Sequence, residues 1–366
     1  MNKEVISDKQ GIVLMIMFLI GTSTIVVAGL EAKRDFWLAI VIAIFMALPM
    51  IFIYARLHYI FYDKDLFDIC KICFGKFIGK GIVILYTWYL FHSVTLVILN
   101  FGLFVNTVAF MDTPQIIPII SIAILCIWVV KKGMEVMGRW TELILLVFIG
   151  LIFIAILLLI PNMNINNIQP ILYNGVKPIA KGAISSFSFP FGETVVFTMF
   201  FSTFKKKKSS YKIYTIGLLI GGIILLIVSI TDILVLGANT ASSTYFPSYN
   251  TITRISIGSL LQRLEIIVAT IYAFGAFVKI SIYLLATCKG FTKIFEYTDY
   301  RFIVIPVSLL MINLSYFVHD SIMYNMEWTS EIWPYYAIPF QVILPIIIWI
   351  TAEIKKSSGI FTNRNT

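Results

Sequence analysis

Ten apolar runs, most of them about twenty residues long, recur along this chain and constrain its fold more than any other feature. A run of that length spans the hydrocarbon core of a bilayer as a helix, and only 13% of the residues are charged against 59% hydrophobic. The sequence therefore predicts an all-α polytopic membrane protein with ten transmembrane helices. The predicted spans are residues 11–30, 37–55, 81–107, 114–130, 141–160, 183–201, 213–237, 265–288, 302–318 and 335–352.

The runs leave no room for a large soluble domain, so residues 1–366 are expected to form a single integral membrane domain. Lys3 and Lys9 precede the first run, as basic residues do in a secretory signal peptide. We interpret this run as the first transmembrane helix instead, because it is too long for a signal-peptide core and many further spans follow.

Basic residues cluster in the short connections, and their distribution predicts the topology. With the N-terminus inside, 21 of the 28 Lys and Arg residues lie on the inner side, six lie outside and Lys279 lies within a span. Such residues concentrate in cytoplasmic loops, so both termini are predicted to be cytoplasmic. Nucleic-acid binding is not expected, since it needs a continuous basic surface. The run Lys205 to Lys208 is interpreted as a topology anchor that also contacts anionic membrane lipid.

Three connections are long enough to have structure of their own. Residues 161–182 and 238–264 lie outside, and each is predicted to hold a short interfacial helix or a re-entrant cap over a site. Residues 59–79 lie inside and mix aromatic with charged side chains, which indicates a segment along the membrane surface.

The sixth run contains an unusual stretch from Ser185 to Phe201. Pro190 removes a backbone donor, and Gly192 relaxes the chain two residues later. Glu193 places a carboxyl group near the bilayer midplane, where an ionisable side chain costs a few kcal/mol or more. Together these residues predict a broken transmembrane helix that lines a small-ligand site.

The first run is interrupted at a corresponding position, by Gly21-Thr-Ser-Thr24. If the chain consists of two inverted halves of five spans, about 11–160 and 183–352, the two interruptions form a pair typical of transporter binding sites. Small residues are also common where transmembrane helices pack, so the first interruption carries little weight alone.

Unwound helix frees N–H donors on one side and carbonyl acceptors on the other, which suits the carboxylate and ammonium of an amino acid. We expect the first break to bind the charged end of the ligand through backbone atoms. The phenylalanines of the sixth break are expected to form an apolar wall, with ordinary packing as the alternative for each, and Gly192 to leave space for a ligand side chain. Tyr89, which shares a face with His92 and Tyr86, is a further candidate. The candidate ligand-binding residues are Gly21, Thr22, Ser23, Thr24, Tyr89, Phe187, Phe189, Pro190, Phe191, Gly192 and Glu193.

Several charged residues have more than one interpretation. Glu193 is a partner for a ligand ammonium, a protonatable gate, or a structural carboxyl bonded to a neighbouring helix. Lys279 lies too deep in the eighth span to reach the interface. Its ammonium either takes the position of a sodium ion between the first and eighth spans or pairs with Glu193 or Asp232, and both options argue against sodium dependence. Arg263 and Glu265, at the start of that span, are interpreted as a structural latch, with a partner-docking surface as the alternative.

The sequence contains no recognisable motif for catalysis, metal binding or cofactor binding. Cys70-Lys-Ile-Cys73 is a lone pair of thiols, and the three histidines lie in different elements. The four scattered cysteines predict no structural disulfide. Neither a phosphate-binding loop nor a nucleophile elbow is present. We therefore expect no catalytic activity, no cofactor and no metal.

Several motifs occur in an order that resembles one family. They are Ser188-Phe-Pro-Phe-Gly-Glu193, Arg254-Ile-Ser-Ile-Gly258, Arg263-Leu-Glu265 and Phe277-Val-Lys-Ile-Ser281, with the opening Ile6-Ser-Asp-Lys-Gln-Gly11 and with Pro170, Gly175 and Pro178 before the sixth span. Over essentially the whole chain, this order and spacing resemble the spore germination B subunits, the GerAB-type spore permeases of endospore-forming Firmicutes.

The resemblance implies the fold of amino acid-polyamine-organocation transporters, with a LeuT-like 5+5 inverted repeat and broken first and sixth helices. It also implies the ligand-sensing membrane subunit of a nutrient germinant receptor in the spore inner membrane, with an amino acid as the expected germinant. The implied partners are a larger membrane A subunit and a C-subunit lipoprotein. The implied ligand site, between the first, third, sixth and eighth spans, falls on Gly21 to Ser23, Phe189 to Glu193 and the region of Lys279.

Three functions remain open from the sequence. The chain is a receptor subunit that passes a signal to partners, an amino acid transporter with Glu193 as a candidate proton carrier, or a scaffold or conduit for water or ions. Two interrupted spans with buried charges are costly, which favours a binding site over a scaffold. Sensing and transport both need a ligand that binds two states differently, so the sequence does not separate them.

Overall fold

The computed structural model describes residues 4–255 and 264–357. Helices dominate these residues, and the strand-like pairing found in them is an isolated parallel bridge between Ile6 and Phe204. The helices are α1 (Asp8–Ile20), α2 (Phe36–Ile60), α3 (Leu66–Val108), α4 (Ile116–Lys132), α5 (Met134–Leu159), α6 (Val176–Ser186), α7 (Ser209–Leu236), α8 (Ala238–Ser242), α9 (Pro247–Ile252), α10 (Glu265–Phe295), α11 (Val304–Phe317), α12 (Ile322–Glu327), α13 (Trp333–Ile338) and α14 (Leu344–Ser357).

Ten apolar spans are formed by these helices, which confirms the prediction of an integral membrane protein. Eight helical segments are long and apolar enough to cross a membrane. The fourth and ninth spans are α4, with 17 residues, and the shorter α11, with 14 residues. The sixth and tenth spans are each assembled from several consecutive helical pieces.

Some span boundaries differ from the predicted ones. The helix α3 begins at Leu66 and turns at Gly75, which has a φ of 78°, so the predicted surface segment 59–79 contains an inner helix that leads directly into the third span. The tenth span begins at Ile322, well before the predicted residue 335, and joins α12, α13 and α14 through π-helical turns. Its N-terminal part contains Glu327 and Glu331, and this polarity hid the continuing helix from a hydrophobicity count.

The two interrupted spans lie at the centre of the molecule. We compare the spans by the share of buried residues in an 18-residue apolar stretch of each. This share is 78% in the first span and 83% in the sixth, but 28% in the fifth. The fifth span therefore faces outward, as a lipid-exposed helix does, while the broken spans are enclosed by the others. This arrangement shields freed backbone groups from lipid, where non-helical backbone is tolerated only inside protein or a cavity.

The two long connections that the sequence predicts to lie outside contain short helical pieces. The connection after the fifth span forms 3-10 turns at Ile160–Asn162 and Ile165–Asn167. The connection after the seventh span holds α8 and α9. The backbone N–H of Asn164 donates to the carbonyl of Leu234 at 2.8 Å, so the first connection is fastened to the C-terminal end of α7.

Candidate functional site

The first break lies at Gly21–Thr24, immediately after α1. A capping box between Ser7 and Gln10 fixes the inner end of α1, and the helix continues until the Gly21 N–H bonds to the Met17 carbonyl at 2.8 Å. The chain then makes a single 3-10 turn, Ser23–Ile25, where a broken helix with two halves was expected to continue. The hydroxyl groups of Thr22 and Ser23 are buried and have no hydrogen-bond partner in the described part of the chain.

Gly21 brings the first break against α10. A Cβ atom built on Gly21 lies 2.7 Å from the Cα of Gly275, and one built on Gly275 meets the Gly21 carbonyl. The two backbones therefore touch, as small residues allow in transmembrane packing. This contact places the break one turn from Lys279 along α10.

The sixth break extends from Phe187 to Gly192, between α6 and a tight helical segment at Gly192–Thr203. Phe189 has an extended backbone, with φ −143° and ψ 115°, and Pro190 follows without a donor. The freed carbonyl of Ser188 accepts two hydrogen bonds, from the Nε2 of Gln341 at 2.9 Å and from the Nε1 of Trp333 at 3.3 Å. The tenth span thus satisfies a backbone group that the break releases.

Gln341 is a site residue that sequence reasoning missed. It is fully buried, and its Nε2 also donates to the hydroxyl of Tyr89 at 3.0 Å. A Cβ atom at Gly192 collides with the Gln341 amide, so the space beside Gly192, which the sequence reserved for a ligand side chain, holds this amide in the structure. Its Oε1 has no hydrogen-bond partner among the described residues.

Glu193 and Lys279 form a buried ion pair. The Nζ of Lys279 lies 2.6 Å from the Oε2 of Glu193, and their side chains are 0% and 2% exposed respectively. Of the two carboxylate partners considered for Lys279, the structure therefore selects Glu193. Asp232 instead contacts Ser248 on α9. A buried pair of this kind needs good geometry, because two charges have been removed from water.

Aromatic rings enclose the Lys279 ammonium. Its Nζ lies 4.2 Å from the ring centre of Phe189 and 5.1 Å from that of Phe18. The face of an aromatic ring attracts a cation, more strongly when water is excluded. Since Phe18 belongs to α1 and Phe189 to the sixth break, Lys279 connects the two interrupted spans. Phe187 and Phe191 are also buried, and Phe191 lies near Gly222 of α7.

The third span meets the tenth span beside the site. The ring of Tyr89 stacks on Phe340 with centres 4.7 Å apart, and the hydroxyl of Tyr86 donates to the Phe340 carbonyl at 3.0 Å. His92 packs edge-on against Trp328 and Tyr336. Of these three third-span candidates, Tyr89 is linked to the sixth break, through Gln341.

The predicted latch at the start of the eighth span is described in part. Arg263 lies outside the described residues. Glu265 is the first residue of α10. The pKa of Tyr249 in α9 is raised by the partial burial of this tyrosine and by the carboxylate of Glu265. The helix α10, which Glu265 begins, packs against α9.

The arrangement is suited to binding a small polar molecule. It offers an ammonium, a carboxylate, aromatic faces and buried hydroxyl groups without partners, and such unsatisfied groups call for a ligand or water. Within residues 4–255 and 264–357, no group of three or more His, Cys, Asp and Glu side chains is placed to hold a metal ion.

Solved transporter structures share this architecture. A structure of MhsT in complex with L-phenylalanine aligns with a TM-score of 0.70 at 15% identity, covering 95% of this chain and 89% of that one. A structure of Mhp1, a nucleobase-cation-symport-1 family transporter, aligns with a TM-score of 0.65 at 11% identity, covering 88% and 74%. These similarities confirm the LeuT-like 5+5 inverted-repeat fold with interrupted first and sixth helices.

Sequence relatives come from spore germination. Spore germination protein KB of Bacillus subtilis (strain 168) is 27% identical over 360 residues, which cover 97% of this chain and 96% of the relative. The putative spore germination protein YfkT of the same organism is 22% identical over 90% of both chains. The family model described as "Spore germination protein" matches residues 5–321. With most of its length matched, and with the fold of permeases, this chain belongs to the spore germination protein family of spore permeases.

Proposed function

We propose that this protein is the ligand-binding membrane subunit of a spore nutrient germinant receptor. The observation that carries the proposal is the Glu193–Lys279 pair, which lies where the two interrupted spans meet and is enclosed by Phe18 and Phe189. A ligand that inserts between these charges exchanges one ion pair for two and changes the contact between the spans. Binding and conformational signalling are thereby linked at one position.

The expected germinant is an amino acid. Its ammonium would pair with Glu193, and its carboxylate would pair with Lys279 or with the freed backbone N–H groups of the first break. Thr22 and Ser23 add buried hydroxyls without partners. The relation of the fold to MhsT, whose solved structure contains L-phenylalanine, supports this ligand class.

The receptor acts through partners in the spore inner membrane, a larger A subunit and a C-subunit lipoprotein. The supporting observation is the family membership, since the relatives are themselves spore germination proteins. Adjacent genes for A-type and C-type subunits, and their co-purification with this chain, would support the assembly.

An amino acid transporter is the second candidate, because the solved structures with this fold include transporters. Uptake of labelled amino acids into proteoliposomes, measured beside ligand-induced thermal stabilisation, separates the two functions. Stabilisation without uptake supports the receptor, whereas saturable uptake by the isolated chain supports the transporter. A ligand at one hundred times its Kd stabilises the folded state by about 2.7 kcal/mol, which a melting experiment resolves.

Glu193→Gln tests the site itself. We expect this variant to insert and fold with reduced stability, because the Lys279 ammonium loses its partner. It should also require at least about tenfold more ligand for the same stabilisation, since a charge-assisted bond to the ammonium is worth about 1.5–3 kcal/mol. Glu331→Gln is the matched control, because Glu331 lies 57% exposed in an ion pair with Lys181. An unchanged concentration dependence in Glu193→Gln would remove this carboxyl from the site.

A further inference from the structure

Asp232 is a buried carboxyl group that the proposed ligand site does not use. It lies in the last turns of α7 and is 3% exposed, and no ion pair involves it within the described residues. It lines a small cavity of about 40 Å³ together with Thr24, Thr231 and Ser248. The remaining lining residues are aliphatic side chains of α5, α7, α9 and α10. A cavity of this size has room for water but not for an amino acid.

The two short contacts of Ser248 point to a proton on Asp232. The Oγ of Ser248 lies 2.6 Å from the carbonyl oxygen of Thr24 and 2.5 Å from the Oδ2 of Asp232. A serine hydroxyl has a single proton and can donate to only one of these oxygens. The carbonyl has no proton to give. Both contacts are therefore hydrogen bonds at the same time only when the Asp232 carboxyl carries a proton and donates it to Ser248.

Two neighbouring hydroxyl groups already have carbonyl partners. Thr231 donates to the Ile227 carbonyl at 2.9 Å, and Thr251 donates to the Pro247 carbonyl at 3.0 Å. Among the described residues, a carboxylate at Asp232 would have no cation beside it and would have to draw the Ser248 and Thr251 hydroxyls away from the carbonyls that they bond. An isolated ionised carboxylate in such surroundings is strongly disfavoured.

We propose that Asp232 is a proton-binding site that fastens the outer helix α9 to the first break. The protonated carboxyl donates to Ser248, whose hydroxyl donates to the Thr24 carbonyl. When the proton leaves to water, the Ser248 hydroxyl turns to donate its hydrogen bond to the carboxylate. The Thr24 carbonyl then loses its donor. The link between α9 and the first break is then released. Outside pH thereby sets the conformation of the first span, whichever ligand the protein binds.

The parts of the chain in and after α9 and at the start of α10, which help to line the cavity, also carry titratable groups. They are Tyr249 and Arg254 in and after α9, and Glu265 and Tyr272 of α10, none of which lines the cavity. The first break and α5 present only hydroxyl and aliphatic side chains to it. Among the described residues, Asp232 is therefore the group at this cavity whose charge changes with pH.

Difference infrared spectroscopy of the full chain in lipid nanodiscs tests the proton. We expect the carbonyl stretch of a protonated carboxyl at neutral pH, lost as the pH is raised and missing from Asp232→Asn. Asp35→Asn is the matched control, because Asp35 is also fully buried on the outer side but accepts the Leu172 N–H at 2.8 Å. Persistence of the full wild-type band in Asp232→Asn would overturn the assignment.

Hydrogen exchange tests the link to the first span. In the wild type and in Asp35→Asn, exchange of α9 and of residues 22–26 should rise several-fold above the intrinsic pH trend once Asp232 is deprotonated. Asp232→Asn should lack this step, and Ser248→Ala should exchange rapidly at every pH while keeping the infrared band. A wild-type step in Ser248→Ala would refute the coupling. Neither measurement uses a germinant, so both are independent of the proposed receptor function.

Discussion

At the scale of single residues, the buried pair of Glu193 and Lys279 dominates the energetics of the site. Removing two ions from water costs several kcal/mol each, and their attraction only roughly offsets that cost. The contact at 2.6 Å is therefore weak evidence for stability. What the pair provides is a defined position for two opposite charges, which a zwitterionic ligand can use and which an apolar pair cannot.

A double-mutant cycle separates these two roles. Lys279→Met alone leaves the Glu193 carboxylate without its cation, and we expect a loss of about 3–5 kcal/mol in unfolding free energy. Combining it with Glu193→Gln should recover most of that loss, because no buried charge remains. Thermal or denaturant unfolding in detergent measures each variant. If the double variant loses as much unfolding free energy as the two single variants together, the charges do not interact.

At the scale of helices, the contact between the first break and α10 is set by two glycines. Gly21 and Gly275 touch through backbone atoms, so neither position accepts a side chain without moving a helix. The same contact brings Phe18 within 5.1 Å of the Lys279 ammonium. The packing of the first span against α10 therefore also brings the residues of the site together.

Gly275→Ala should destabilise the protein and displace the site. Forcing a methyl group into a tight contact typically costs about 1–3 kcal/mol, and here the obstacle is the backbone of Gly21. Gly150→Ala in α5 is the matched control, since among the described residues no atom outside the adjoining helix backbone lies within 4 Å of a Cβ at that position. We expect the control to melt like the wild type and Gly275→Ala to melt at a lower temperature with weakened ligand stabilisation. Equal melting of the two variants would contradict the close contact.

The sequence revealed those features of the site that carry an energetic cost. A charge within an apolar run is expensive, so Glu193 and Lys279 were recognisable one at a time, whereas their pairing depends on how the sixth and eighth spans pack. Gln341 was missed because a single neutral amide between Phe340 and Val342 causes little cost in an apolar run. The short outer part of the first span was also hidden, because apolar residues continue from Ile25 to Ala28 while the backbone leaves the α-helix.

At the scale of the whole molecule, contacts between connections agree with ten alternating spans. Glu4, before the first span, pairs with Arg301 after the eighth at 2.7 Å and accepts the Met134 N–H before the fifth at 3.0 Å. On the opposite face, Ser248 after the seventh span contacts Thr24 of the first break. Connections predicted to share a side are therefore joined in space. Which side is cytoplasmic follows from the distribution of Lys and Arg alone.

Cysteine labelling tests this orientation with little background, because Cys70, Cys73, Cys126 and Cys288 are all buried. Tyr173 is 79% exposed in the predicted outer connection, and Lys207 is exposed in the basic run after the sixth span. A membrane-impermeant maleimide should modify Tyr173→Cys in intact right-side-out vesicles and Lys207→Cys only after permeabilisation. The reverse pattern would invert the topology and place the proton site at Asp232 on the cytoplasmic side. Because that site is proposed to respond to outside pH, the orientation decides which compartment it senses.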